Sequence, residues 1–264
     1  EAEIAVNYGV FAGKAVVISN IPIAIASSMS AAMIPSISAS FAKGDKEKTH
    51  RQIQVAVQTT MLISIPCAFG MLALAKPVTE LLFPQKESLA LAAALLRAIS
   101  VSVIFYALST LTNAVLQGIG KVNAPVINAA AALVIQTVVL VVLLTYTDLS
   151  LYALAVAMVV YSFLMCVLNN VAVRKALGYR QEIKKTFLKP ALSAMVMGVV
   201  AHYVYIIVYW FVPVNLIALL PSIFAAVVIY FTLVIKTGAL SEEELKNIPK
   251  GGMIVRMAKK IHLL

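Results

Sequence analysis

Residues 7–45 read NYGVFAGKAVVISNIPIAIASSMSAAMIPSISASFAKGD, and this stretch decides the fold. No charged side chain falls between Lys14 and Lys43, a run long enough to cross a bilayer core of roughly 30 Å as one helix. It is not a plain anchor. Pro22 and Pro35 lie inside it, among Gly9, Gly13, Ser19, Ala24, Ala26, Ser27, Ser28, Ser30, Ala31 and Ala32. Small residues let helices approach closely in lipid, and intramembrane prolines bend a helix where neighbours take up the freed carbonyls. The segment is built to pack, to bend and to line something polar.

The rest of the chain has the same character. It holds 264 residues, 62% hydrophobic and 12% charged, with a mean hydropathy of +0.96. A soluble domain is roughly a quarter charged, so the fold class is an all-α polytopic membrane protein. The net charge of +10 reads as positive-inside topology and contact with anionic lipid headgroups. Nucleic acid is excluded as a partner, because no basic stretch is interleaved with base-stacking aromatics. Cys67 and Cys166 sit in apolar runs and read as small core hydrophobes, with no metal site and no disulfide framework. No signal-peptide pattern precedes the first span, which starts close behind Glu1. We therefore expect the chain to begin partway through a longer protein.

Charged residues punctuate seven expected spans, at about 8–41, 53–75, 88–117, 126–146, 151–173, 191–211 and 216–235. Residues 190–235 carry no charge over 46 positions. As one helix they would be roughly 69 Å long, so Pro213 and Asn215 mark a hairpin turn. TELLF, between Pro77 and Pro84, reads as a brief interfacial helix. The organisation is five spans in 1–173, a basic linker at 174–189, a terminal hairpin at 190–235 and a basic tail at 236–264. Alternate loops hold 17 Lys and Arg on one side against Lys76 and Lys86 on the other. That imbalance makes the first side, and the C-terminus, cytoplasmic. In the tail, Ser241 and Glu244 form a capping box. Residues 253–264 suit either a helix on the inner leaflet or a solvated basic tail.

The chemistry lies in what the spans contain. None holds Asp or Glu, whereas cation-coupled exporters place a carboxylate in the membrane. Two cations are there instead, Lys14 and Arg97. Each costs roughly 2.5–3.5 kcal/mol at a helix centre. They are candidate sites for a headgroup phosphate, or they snorkel to the outer headgroups. Asn113, Gln117 and Asn128, with Gln136, Asn169 and Asn170, either line a cavity or bond between helices. Pro22, Pro35 and Pro66 are candidate helix hinges. His202, among HYVYIIVYWF, reads as an interfacial packing residue beside an aromatic belt of Tyr203, Tyr205, Tyr209 and Trp210. No HExxH, GxSxG, P-loop or paired-acid pattern occurs, so an enzyme and a cofactor are not expected.

Three strings carry a resemblance: IPSISASFAKGD at 34–45, ISIPCAFGMLALAKPVTELLF at 63–83 and LQGIGKVNAPV at 116–126. They resemble the polysaccharide-flippase branch of the MATE-like (MOP) exporters, in the group of stage V sporulation protein B, related to the MurJ lipid II flippases. SEEELKNIPKG, at 241–251, is similar to the end of sporulation-type members. The resemblance implies the C-terminal half of a fourteen-helix, two-lobed transporter in the bacterial cytoplasmic membrane, with an N-terminal lobe of the same protein as its partner. It implies alternating access that carries an undecaprenyl-linked cell-wall or polysaccharide precursor, such as lipid II, across the bilayer. In MurJ-like members cavity arginines serve the pyrophosphate, and Lys14 lies in the corresponding helix. The last two spans of such members flank a lipid-tail groove. The alternatives are a MATE-type exporter of organic cations, which needs membrane acids, and a structural subunit of a sporulation or wall-synthesis complex.

Overall fold

Where no water can satisfy a backbone polar group, a chain this apolar pairs its own N–H and C=O groups within helices. The computed structural model describes residues 2–240, with side chains from residue 5 onward. The capping box and the tail at 253–264 lie outside the described residues. The described chain is helical nearly throughout. α1 (Ala2–Val10) passes through a π-helical turn at Phe11–Ala15 into α2 (Val16–Ala42). Then come α3 (Lys46–Ala73), α4 (Ala75–Leu82), α5 (Lys86–Ile99), α6 (Ser102–Gly118), α7 (Asn123–Tyr146) and α8 (Leu151–Leu177). A second π-helical turn, Lys184–Leu188, leads into α9 (Lys189–Phe211), and α10 (Asn215–Lys236) closes the order. Six of these rods are long and apolar enough to cross a membrane, and α5 with α6 makes a seventh if the bent pair is one span.

The third expected span differs from its reading as one helix. It is two helices bent by 49° at residues 100–101. The hydroxyls of Ser100 and Ser102 donate to the carbonyls of Arg97 (2.8 Å) and Ile99 (2.6 Å). The backbone there tightens to three-residue bonds, Ser100 to Arg97 and Val103 to Ser100, both 3.3 Å. Serine hydroxyls that compete for helical carbonyls bend a helix. By contrast, α2 runs unbroken through Pro22 and Pro35, and α3 through Pro66. The helices also run further into the basic stretch than the sequence reading allowed. α8 extends to Leu177, and only 178–182 leave helical geometry.

α2, α3 and α6 pack on one another at the centre. α8 lies on α6 and α7 on α8, while α9 lies on α3 and α10 on α9. α7 buries only Pro125 and Ala132, as a helix facing hydrocarbon does. Two glycines set helix spacing. A Cβ on Gly198 of α9 would sit 3.3 Å from the Phe69 carbonyl oxygen of α3, and one on Gly118 of α6 would sit 2.9 Å from the Ser38 hydroxyl of α2.

Cross-bonds fix which loops share an end. His50 Nε2 meets the Leu177 carbonyl oxygen at 2.8 Å, Gln58 donates to that of Ala239 at 2.8 Å, and Lys189 to that of Gly238 at 3.3 Å. These tie together the end where the basic loops gather. At the opposite end His202 Nδ1 meets the Ala73 carbonyl oxygen at 3.2 Å. There Tyr205 donates to Asn215 at 3.0 Å, and Asn215 donates to the Pro77 carbonyl oxygen at 2.9 Å. The α9–α10 hairpin is thereby pinned to α4. Tyr203, Trp210 and Phe211 stand exposed around it, where amphipathic rings prefer to lie.

A candidate lipid-binding site

Lys14 sits in the first π-helical turn, a local widening that often re-aims a side chain at a functional position. Its ammonium is half-buried and donates to Ser88 Oγ at 2.6 Å and to Gln85 Oε1. It also lies 5.8 Å from the Phe83 ring centroid. The cation is therefore solvated by the α4–α5 turn and the start of α5, with no carboxylate needed. Asn7, Lys14, Gln85, Glu87 and Ser88 line an open cavity of about 780 Å³ at this end.

One and two turns further along α2, Ile18, Ile21 and Pro22 enter a different space. It is a groove of about 580 Å³ between α2, α3, α9 and α10, walled by Leu62, Pro66, Cys67, Ile223 and Phe231 among others. Its lining is almost wholly apolar, and Ile21, Ile223, Val227 and Phe231 are exposed along it. The groove is therefore open along one side of the described chain.

Arg97 lies eleven residues into α5, or about 16 Å along the helix, at the last turn before the 49° break. Its side chain is exposed and has no partner among the described residues. The structure shows no bond between Arg97 and Lys14. The amides do come together. Asn128 of α7 donates to Asn169 of α8 at 2.9 Å, and Asn169 donates to Asn113 of α6 at 2.6 Å. Asn169 is fully buried and also reaches the Ser109 carbonyl oxygen at 3.4 Å. Asn113 and Asn128 thus spend their side chains on joining three helices. Gln117, one turn beyond Asn113, stays exposed and outside the chain of amides.

The family model described as the lipid II flippase MurJ matches residues 10–244. The chain belongs to the MurJ lipid II flippase family. A curated member, the lipid II flippase MurJ of Bacillus subtilis (strain 168), is 31% identical over 201 residues, covering 73% of this chain and 35% of that protein. The sporulation protein YkvU of the same organism is 34% identical over 82 residues, covering 31% of this chain and 18% of its own. The chain thus spans about a third of the first relative's length. The resemblance read from 34–45, 63–83 and 116–126 is borne out, as is the multi-pass membrane fold. Neither the cation-exporter nor the scaffold alternative is favoured.

In this MurJ-family chain some site residues escaped the sequence reading. Gln85 and Ser88 had a usable signal, a polar QKES run directly after Pro84. Their pairing with a lysine more than seventy positions away had none. The groove had only a partial signal. Pro22 and Pro66 stood out as hinges, whereas the structure places both in its wall.

Proposed function

We propose that the chain is the C-terminal lobe of a flippase for polyprenyl-pyrophosphate-linked wall precursors of the lipid II class, working in the cytoplasmic membrane with its basic end inside. The observation that carries this reading is the order of features along α2. A cation in a polar cavity is followed, within two turns, by an apolar groove open along one side. An amphiphile with an anionic head and a long prenyl tail is the ligand whose two parts match those two spaces. Lys14 would exchange its neutral partners Gln85 and Ser88 for phosphate oxygens, gaining contacts in which donor and acceptor are both charged. Arg97, unpaired beside a bend, would meet the same charge in another conformation.

The lobe needs a counterpart. Asn20, Ser27, Ser28 and Ser36 stand exposed on α2, and polar groups at this depth face a wet cavity or a partner rather than lipid. That face would close the translocation cavity against an N-terminal lobe. The domain division at 174–189, and Pro22, Pro35 and Pro66 as points of flexure, belong to the same proposal. Ser100–Ser102 is a further point of flexure.

Binding in lipid nanodiscs tests it. Lipid II should bind in preference to undecaprenol, which lacks the pyrophosphate, and Lys14→Ala and Arg97→Ala should each weaken binding about ten-fold, the order of one charge-assisted contact. Equal binding of both lipids, or full affinity in both variants, would overturn the electrostatic assignment.

A further inference from the structure

A second amphipathic space lies at the other end of the molecule. α6, α8, the turn at 178–182, Ile183 and the second π-helical turn border about 640 Å³. One wall is apolar, with Phe105, Phe163, Ile183 and Phe187. The other carries Asn170, Arg174, Arg180 and Gln181. None of these four side chains has a partner among the described residues. The Gln181 amide nitrogen is buried and unsatisfied, and buried donors are ordinarily paired.

The turn that presents them is held in place. Gly178, at φ +71°, ends α8 in the left-handed conformation that glycine adopts without strain. The next residue, Tyr179, is buried and packs edge-on to His50 at 5.7 Å. Arg180 and Gln181 follow directly. The local carboxylate is Glu182, one charge against the two guanidiniums.

We propose that this space binds one anionic glycerophospholipid of the leaflet at the basic end. Its phosphate would lie on Arg174 and Arg180 with Gln181 closing over an ester oxygen, and its upper acyl chain would run along Phe163 and Phe187. Length supports a lipid over a free anion. Phe163 to Arg174 is eleven residues of α8, about 16 Å, the reach of a phosphate, glycerol and the first part of a chain. Exposure supports it too. Ile183 is 70% exposed and Phe163 48%, so the apolar wall opens to hydrocarbon. Basic pockets between membrane helices on the positive side bind anionic headgroups by this chemistry. The site uses different helices from the Lys14 cavity and does not rest on the flippase reading.

Native mass spectrometry of the chain with dioleoyl phosphatidylglycerol or dioleoyl phosphatidylcholine tests the site. The expected result is one tightly retained phosphatidylglycerol, at least ten-fold over phosphatidylcholine. R174Q/R180Q should abolish that preference, while the same-end control K43Q/K121Q leaves it intact. Val171 also lines the trough and is exposed, so V171W, which fills the space without touching charge, should also release the lipid. All of these positions are exposed, so folding is not at stake. Equal loss in the control, full retention in R174Q/R180Q, or retention of glycerol phosphate as strongly as the lipid would overturn the proposal.

Discussion

Tyr230 of α10 donates its hydroxyl to the Leu62 carbonyl oxygen of α3 at 2.9 Å. Leu62 is four residues before Pro66, so its carbonyl is the one that a proline, lacking an N–H, leaves without its helical partner. All three residues line the apolar groove. The proline opens the backbone, and a neighbouring helix supplies the missing donor, as the absence of water in a bilayer demands. α3 consequently passes Pro66 without a break and the groove keeps its shape.

Tyr230→Phe should therefore cost about 1 kcal/mol. In a Pro66→Ala background the cost should shrink, because the substitution restores the backbone N–H. Denaturation in micelles, run as a double-mutant cycle, measures the coupling. An equal cost in both backgrounds would show that the tyrosine does not serve the proline.

Asn169 bridges three helices, and its loss leaves both Asn113 and Asn128 unpaired. Asn169→Leu should destabilise the protein by roughly 1–3 kcal/mol, whereas Asn128→Leu, which breaks one bond, should cost nearer the membrane average of about 0.6 kcal/mol. Thermal unfolding of the two variants side by side tests the ranking.

Gly198→Val should lower stability by roughly 1–3 kcal/mol, since the added carbons meet the Phe69 carbonyl and push α9 off α3. Gly70→Ala meets nothing within 4 Å and should be neutral or slightly stabilising. Similar melting losses in both would mean that the contact at Gly198 does not set helix spacing.

Tyr179, in the turn at the basic end, has its phenol pushed up to about 12 by burial and by the nearby Glu182 carboxylate. The folded state therefore holds the proton more tightly than the unfolded chain, whose tyrosines ionise near 10. Below pH 10 this contribution is fully present, and it is lost as pH rises from about 10 to about 12. Tyr179→Phe should flatten that part of the alkaline stability profile. A profile unchanged by the substitution would contradict the burial.

The helices were legible because their signals are local. A run of apolar residues ended by Lys43, or the 46 uncharged positions before Lys236, has one solution in lipid. The α9–α10 turn fell where Pro213 and Asn215 placed it. What escaped depends on how a local side chain turns or on partners distant in sequence. Ser100 and Ser102 look like ordinary small membrane residues until their hydroxyls turn back on the helix. Asn113 and Asn128 could line a cavity or join helices, and only the position of Asn169 between them shows the joining. Lys14 was legible as an intramembrane cation, but its neutral partners lie more than seventy positions away, Gln85 on the α4–α5 turn and Ser88 in the first turn of α5.

On the proposed reading, one ligand occupies the Lys14 cavity with its head and the α2–α3–α9–α10 groove with its tail. A lipid II analogue carrying a photoreactive group in its prenyl tail tests it most directly, by mapping crosslinks on the chain in nanodiscs. Crosslinks are expected at residues 62–71 and 223–231, diminished by Lys14→Ala. Crosslinks spread over the lipid-facing surface of α7 and unaffected by Lys14→Ala would contradict it.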